Sequence, residues 1–483
     1  MTVALSLRAL KLSDDETRLM GKLRSDLAYY ARKNEKRYAM YEGEFVADQI
    51  GIAVPPMLKD WPVKIGWGTT IIDVIAERMN WIAFESAGTD LLGLDEIATQ
   101  NRLETKADRV TESTLVAGTS FVVVGKDKNG VAIEPKSPSV MAVQRDYVTD
   151  QIIAALLQVR TPTGAVLAET LYLPDQTITT QVGRHNRMTV TGRDKHKRGE
   201  CPVEQFRNQP NDSHPEGRSL ITAPIEYTIS AAARTLLGME VHREFFAAPQ
   251  RAALGAEPEV FGFEESMSPE EKYALGWAIT MGRMNIVPPI DDGNGNVSVP
   301  TMHEFKPSSP SVYIDILKYL STMIASDSGL PASYFGILTD NPTSADANKA
   351  LESRIERRSG ARNKESGWHW MNVARKALLW RDGRVDESAL AKIRVKWASP
   401  STPTPSAAAD SGMKLVSANI LPADSKVTYD RIGLTDMEQA QLAEEKRRAT
   451  AAGLVERVRE AANQVTDPEV TSLASRRVPV EDA

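Results

Sequence analysis

The sequence predicts an α+β protein, and three observations carry that expectation. Apolar residues recur at helical spacing over residues 13–42, 219–248, 311–328 and 344–380. Between residues 119 and 190, short runs rich in Val, Ile and Thr alternate with Gly, Pro and Asn turns, the mark of antiparallel hairpins. The composition, 42% hydrophobic and 25% charged over 483 residues, fits a chain able to bury a core in two to four structural units.

In chain order, Ser13 caps a helix over 13–42. Asp14, Asp15 and Glu16 suit the positive end of its dipole, and Leu19, Leu23, Leu27 and Tyr30 form its apolar stripe. A short helix spans Thr69 to Arg78, followed by a strand with Trp81, Ile82 and Phe84, and by one helix over 94–119. Val122–Val124 and Val131–Ile133 flank Asn129-Gly130, a strong hairpin signal. Strands recur at 152–160, 166–173, 177–182 and 188–190, so residues 45–210 read as an α+β domain. Ser219 is placed to cap the helix over 219–248. Ser268 and Pro269 open the next, over 268–284. Residues 285–310 read as strand, turn and strand. A helix over 311–328 ends at Gly329, and a long charged helix covers 344–380. A strand at 392–397 and a Pro/Ser/Ala linker precede a mostly helical segment over 409–464 and a frayed end.

The bulk numbers restrict function. A net charge of -6 disfavours a protein that grips nucleic acid by phosphate neutralisation, and leaves only local basic patches. The single cysteine, Cys201, allows no internal disulfide and no CxxC zinc pair. The first residues lack a signal-peptide pattern, and no apolar run is long enough to span a membrane. No phosphate loop or HExxH motif occurs, and the six histidines share no metal-ligand spacing. His369, between Trp368 and Trp370, reads as structural, as does Cys201. Asp291-Asp292-Gly293-Asn294-Gly295-Asn296 fails as a calcium loop, because Val297 and His303 stand where glycine and glutamate are needed. Residues 184–200 and 340–384 each carry a local excess of four positive charges. Neither has the aromatic interleaving of a single-strand binder.

One set of short motifs, in order, goes further. Gly217-Arg218-Ser219 opens a long helix, and Pro249-Gln250-Arg251 with Gly255 follows it. Asn285-Ile286-Val287-Pro288-Pro289 precedes a turn and then Glu304-Phe305-Lys306-Pro307-Ser308-Ser309-Pro310. Ile324-Ala325 leads to Ser328-Gly329-Leu330-Pro331. Tyr334-Phe335-Gly336 is followed by Pro342-Thr343-Ser344-Ala345-Asp346-Ala347. In this order and spacing, strongest over 210–400, the sequence resembles the portal proteins of tailed double-stranded DNA phages of the actinobacteriophage type.

The resemblance implies a portal fold. It has an α/β wing (1–267 and 329–404), stem helices at 268–284 and 311–328, a small β clip at 285–310, and a helical crown and tail at 405–483. The corner Gly329, Leu330, Pro331 would end the second stem helix, glycine permitting a left-handed cap and proline forbidding continuation. A tunnel loop is expected within 359–367, where Ser359-Gly360 and Ser366-Gly367 loosen the helix. Lys349, Arg357, Arg358, Arg362 and Lys364 are the candidates for sparse contacts to DNA. Asp291, Asp292, Asn294, Asn296 and His303 are the clip candidates for partner binding. Glu264, Glu265, Glu270 and Glu271 would repel DNA or pair with arginines of a neighbour.

The implied function is a channel at one capsid vertex, through which a terminase motor packages DNA and from which it is ejected. The implied partners are the chain itself as a closed ring of about twelve subunits, the major capsid protein, any scaffolding protein, the terminase large subunit, a head-tail adaptor and double-stranded DNA held transiently. No cofactor, metal, membrane or catalytic residue is expected. The location would be the virion, after assembly in the host cytoplasm. The alternatives are an oligomeric enzyme of unknown class and another head-to-tail adaptor.

Overall fold

A computed structural model describes residues 11–44, 63–86, 88, 90–128, 130–146, 148–183, 188–247, 251–255, 257–281, 289–291, 297–304, 309–336, 345–401 and 405–464. Met1–Pro400 forms one unit, whose described residues mix helices and antiparallel sheets; Ser401–Ala483 forms a second.

Helix α1 (Asp14–Tyr41) starts in a reciprocal capping box. The Glu16 N–H donates to Ser13 Oγ at 3.1 Å, and the Ser13 N–H donates to the Glu16 carboxylate at 2.9 Å. Helix α2 (Trp67–Ala76) and strand β1 (Trp81–Ser86) follow. The single helix expected over 94–119 is two, α3 (Leu94–Asn101) and α4 (Leu103–Ala117), broken at Arg102 with φ 53°. Strands β2 (Thr119–Asp127) and β3 (Gly130–Lys136) come next and supply the reason for the break. The buried Asn101 amide donates to the Val131 carbonyl at 2.8 Å and accepts from the Ile133 N–H at 2.8 Å. Those bonds hold the end of α3 on β3.

Strands β4 (Met141–Arg145), β5 (Ile152–Arg160), β6 (Val166–Tyr172), β7 (Thr177–Val182) and β8 (Met188–Asp194) form a five-stranded antiparallel meander. Met20, Leu23 and Leu27 of α1 pack on it against Leu156, Leu171 and Ile178. Strand β9 (Val203–Arg207) completes a three-stranded sheet of order β3-β2-β9.

Helix α5 (Ala223–Ala247) begins four residues after Ser219, which does not cap it. Ser219 is buried. Its hydroxyl donates to the Val116 carbonyl at 2.5 Å and accepts from the Ile221 N–H at 2.9 Å, joining this approach to the end of α4. Beyond α5 lie β10 (Arg251–Leu254), a 3-10 turn (Pro258–Phe261) and α6 (Pro269–Met281). Two-residue strands β11 (Ile290–Asp291) and β12 (Val297–Ser298) pair, and β13 (Thr301–Glu304) returns to β10, with Arg251 opposite Glu304 and Leu254 opposite Thr301. Helix α7 (Ser311–Ser328) then lies along α5. The His242 and Tyr313 rings meet edge-on at 5.5 Å, and a Cβ on Gly238 would approach the Tyr313 ring to 3.2 Å. Residues 255–300 are thus an excursion whose two ends are clamped by β10 and β13.

A 3-10 turn (Ala332–Phe335) leads to α8 (Ala345–Asp382), short α9 (Glu387–Leu390) and β14 (Ile393–Trp397), which pairs antiparallel with β1. The central core lies here. Trp370, Val373 and Ala377 of α8 pack against Trp81, Phe84, Phe206 and Ile393. A second cluster gathers Ile71, Ile75, Ile324, Leu330, Phe335 and Ile355.

In the second unit, α10 (Pro405–Ser417) starts inside the expected linker, with proline at the first position, where its missing N–H has no helical partner to lose. Ser425 caps α11 (Lys426–Ile432), and α12 (Asp436–Gln464) follows. Among the described residues, no helix is long and apolar enough to cross a membrane.

Candidate functional site: the corner and the long helix

The corner after α7 is built from both sides. Gly329 adopts φ 68°, and its N–H donates to the Ala325 carbonyl at 2.9 Å, the left-handed cap that a side chain would strain. Pro331, at φ -57°, begins the departing chain. Leu330 and Phe335 turn into the second core cluster, where Phe335 meets Trp67 edge-on at 6.1 Å. From the other side, Arg358 of α8 donates to the Ser328 carbonyl. A Cβ on Gly329 would lie 2.8 Å from the Arg358 guanidinium and 3.0 Å from that of Arg354. Two cations therefore cover the carbonyl end of α7, where helix carbonyls and dipole favour positive charge.

This geometry sorts the five expected DNA contacts. Arg362 is only 3% exposed, which corrects the expectation for that residue. Its Nε donates to Asn208 Oδ1 at 3.0 Å and its Nη1 to the Arg358 carbonyl at 3.1 Å. Burial, then the neighbouring Arg358, brings its pKa down to about 10. Thr111, Phe206, Arg362 and His369 line a small cleft of about 20 Å³ beside it. Arg358 is half-buried and occupied at the corner. Arg357 and Lys364 point outward and are exposed. Lys349 lies on α8 with its side chain outside the described residues.

The tunnel loop expected at 359–367 is not a break in the helix. Helix α8 runs unbroken from Ala345 to Asp382 and Ser359 is buried within it. Gly367 serves close packing instead, since a Cβ there would approach the Trp397 indole nitrogen to 3.4 Å. Of the five expected clip residues, Asp292, Asn294 and Asn296 lie outside the described residues, and Asp291 is described in its backbone only. His303 stands on β13 opposite Ala252, away from the short hairpin, and is exposed.

Residues not singled out from sequence hold α8 in place. Glu204 on β9 is buried and accepts from His369 Nδ1 at 2.9 Å, Asn372 at 3.0 Å and Lys376 at 3.1 Å. Burial pushes its carboxyl up, but the His369 hydrogen bond and the Lys376 charge outweigh that and hold it at about 2. Arg375 bridges Glu200 at 2.5 Å and Glu387 at 2.6 Å. The signal for Glu204 was weak, one acid in a β-strand whose partners lie some 170 positions later. His369 is structural in this network.

The outward face of α8 is different in kind. Arg354, Arg357, Ala361, Lys364 and Trp368 follow one another at spacings of three and four and are all exposed, Trp368 to 59%. Within the unit this face can attract anions or acidic protein surface. No proton-transfer or nucleophilic arrangement lies on it.

Comparison with known proteins adds a family. The model of the family described as phage portal protein, SPP1 Gp6-like, matches residues 11–452. The portal protein of Mycobacterium phage D29 is 26% identical over 432 residues, covering 86% of each chain. That of Mycobacterium phage L5 is 25% identical over 432 residues, covering 86% of this chain and 85% of the other. Among solved structures, a chain from the virion of a native gene transfer agent particle covers 83% of this chain and 94% of its own at 15% identity and TM-score 0.43. A chain from the neck of the native particle covers 83% and 99%, again at 15% identity and TM-score 0.43.

Proposed function

The chain belongs to the SPP1 Gp6-like family of phage portal proteins, and from that premise we propose that it closes into a ring of about twelve copies at one capsid vertex. Double-stranded DNA enters through the ring under a terminase motor and leaves through it on infection. The family match over residues 11–452 carries this reading. The role is structural, not catalytic. Within it, residues 268–284 (α6) and 311–328 (α7) serve as the stem, residues 285–310 as the clip, and residues 405–483 as the crown. The wing meets the capsid protein and any scaffold, and the clip meets the terminase and later a head-tail adaptor. Assembly takes place in the host cytoplasm.

The physical chemistry supports a channel that does not grip. A net charge of -6 repels DNA at long range. Arg358 and Arg362 are held inside the subunit, so they add no phosphate anchors. Each anchor would hold DNA by counterion release and oppose its passage.

Native mass spectrometry of the purified protein, with electron images of the same sample, tests the reading. The expected result is a ring near a dozen copies with a central hole. A stable monomer or dimer at high concentration would sink it.

A further inference from the structure

We propose that the outward row of α8 is the seat of the next subunit's acidic segment, residues 257–271, in a head-to-tail contact that repeats around the ring. The inference rests on the ring reading above.

The row consists of Arg357, Lys364 and Trp368, with Ala361 between and with Arg354, whose guanidinium also reaches the α7 corner, at its start. At 100° per residue these positions fall within about an 80° arc, and they run roughly 21 Å along the helix. No acid interrupts the row: Glu352, Glu356 and Glu365 lie off it and are partly covered, and Glu365 accepts from the Gln209 N–H at 3.0 Å. Arg357 and Lys364 have no ion-pair partner among the described residues. Trp368 lies edge-on to His369 at 5.2 Å, with the rest of its indole facing solvent.

The acidic segment is the matching surface. Residues 257–271 contain Glu257, Glu259, Glu264, Glu265, Glu270 and Glu271 and no cation. All six are exposed, and none is ion-paired among the described residues. Glu271 is held by the Ser268 N–H at 2.9 Å, and Glu264 accepts from Ser266. The segment starts just past β10, at the clamped base of the excursion, so its root is fixed.

Charge complementarity selects the occupant. The two surfaces carry opposite charge on one chain and do not pair within it, so each is open to the other on a neighbouring copy, and the ring reading makes that contact head-to-tail. The exposed tryptophan separates this reading from a DNA-facing row. Trp and Arg are enriched at the centre of protein interfaces, and a Trp anchor adds buried area that a gliding duplex does not need.

Two experiments test the proposal together. Rings assembled from isotopically light and heavy subunits are treated with a carbodiimide, which joins an ammonium to a carboxylate only at contact. Light–heavy peptides linking Lys364 to carboxylates of 257–271 are expected. Rings that yield other light–heavy links but none between these two segments overturn the proposal and leave the ring reading standing. No ring in the wild-type protein overturns both. In parallel, the R357E/K364E variant is expected to lower ring yield roughly tenfold at low salt with the subunit's melting temperature unchanged. Adding E264K/E265K should restore the yield. Wild-type yield in R357E/K364E, no rescue, or a defect confined to retention of double-stranded DNA would each count against a protein contact.

Discussion

The core around α8 and the excursion beyond β10 handle apolar surface in opposite ways. Around α8, Trp370, Trp81, Phe84 and Phe206 are buried together, and Glu204 is fully satisfied by three donors. Along the excursion and α7, Leu254, Tyr273, Val297 and Val299 are exposed, and Val312, Ile316 and Tyr319 form an exposed apolar stripe at helical spacing. Contiguous apolar surface of that kind marks an interaction site. The first region finishes its packing within one chain. In the proposed ring the second would reach that state against other copies, where the proposed stem would place it.

The sharpest test of this contrast is a pair of truncations. Trp370→Ala is predicted to destabilise the isolated subunit by about 3–5 kcal/mol, because a large side chain leaves a core cavity. Chemical denaturation of the subunit measures it, and a shift under about 1 kcal/mol would mean that α8 is not central to stability. Removing Glu204 comes next. Glu204→Leu leaves the half-buried Lys376 without its counter-charge, at a cost of about 3 kcal/mol.

The same carboxylate sets a pH dependence. Glu204 and Glu16 both titrate at about 2, Glu16 chiefly through its Arg193 hydrogen bond, against 4.5 for the unperturbed group. Lowered folded values mean that their stabilisation is complete above pH 4.5 and is lost as pH falls toward 2. The melting temperature is therefore predicted to fall over that window, and Glu204→Gln to flatten the fall. An unchanged slope in the variant would contradict the network described around α8.

Gly329→Ala at the corner should cost about 1–2 kcal/mol, from the left-handed backbone alone, and more if Arg354 and Arg358 cannot move aside. Differential scanning calorimetry reads it. The smallest effect on the subunit is expected for V312S/Y319S on α7: within about 0.5 kcal/mol of wild type in the free chain, yet with ring yield clearly reduced by native mass spectrometry. Large destabilisation of the free chain by these two changes would erase the contrast between the regions.

Local chemistry was legible in the sequence. Ser13 and Ser268 cap the helices expected of them, with Glu16 and Glu271 returning the bond, and Gly329-Leu330-Pro331 turns as read. What escaped depends on distant partners. Asn101 breaks a helix because β3 offers it backbone groups, and Ser219 is drawn from capping α5 by the Val116 carbonyl. The inward face of α8 includes Ser359, Arg362 and Asn363, so its polarity reads as solvent-facing until Asn208 is seen beside Arg362. The resemblance implied a loop within 359–367, with the Ser-Gly pairs loosening the helix, but the packing of Trp397 against Gly367 uses one of those glycines to bring strand and helix together.

The pairing of β1 with β14 has a kinetic meaning. These strands come from near the two ends of the first unit, and Trp81 and Phe84 rest on Ile393 and Trp370. During synthesis the early aromatic pair waits for almost the whole unit to emerge before its cover arrives. Contacts of such long sequence separation fold slowly, because loop closure precedes any reward. The interval between the first strand and its late partner is therefore when this apolar surface stands uncovered.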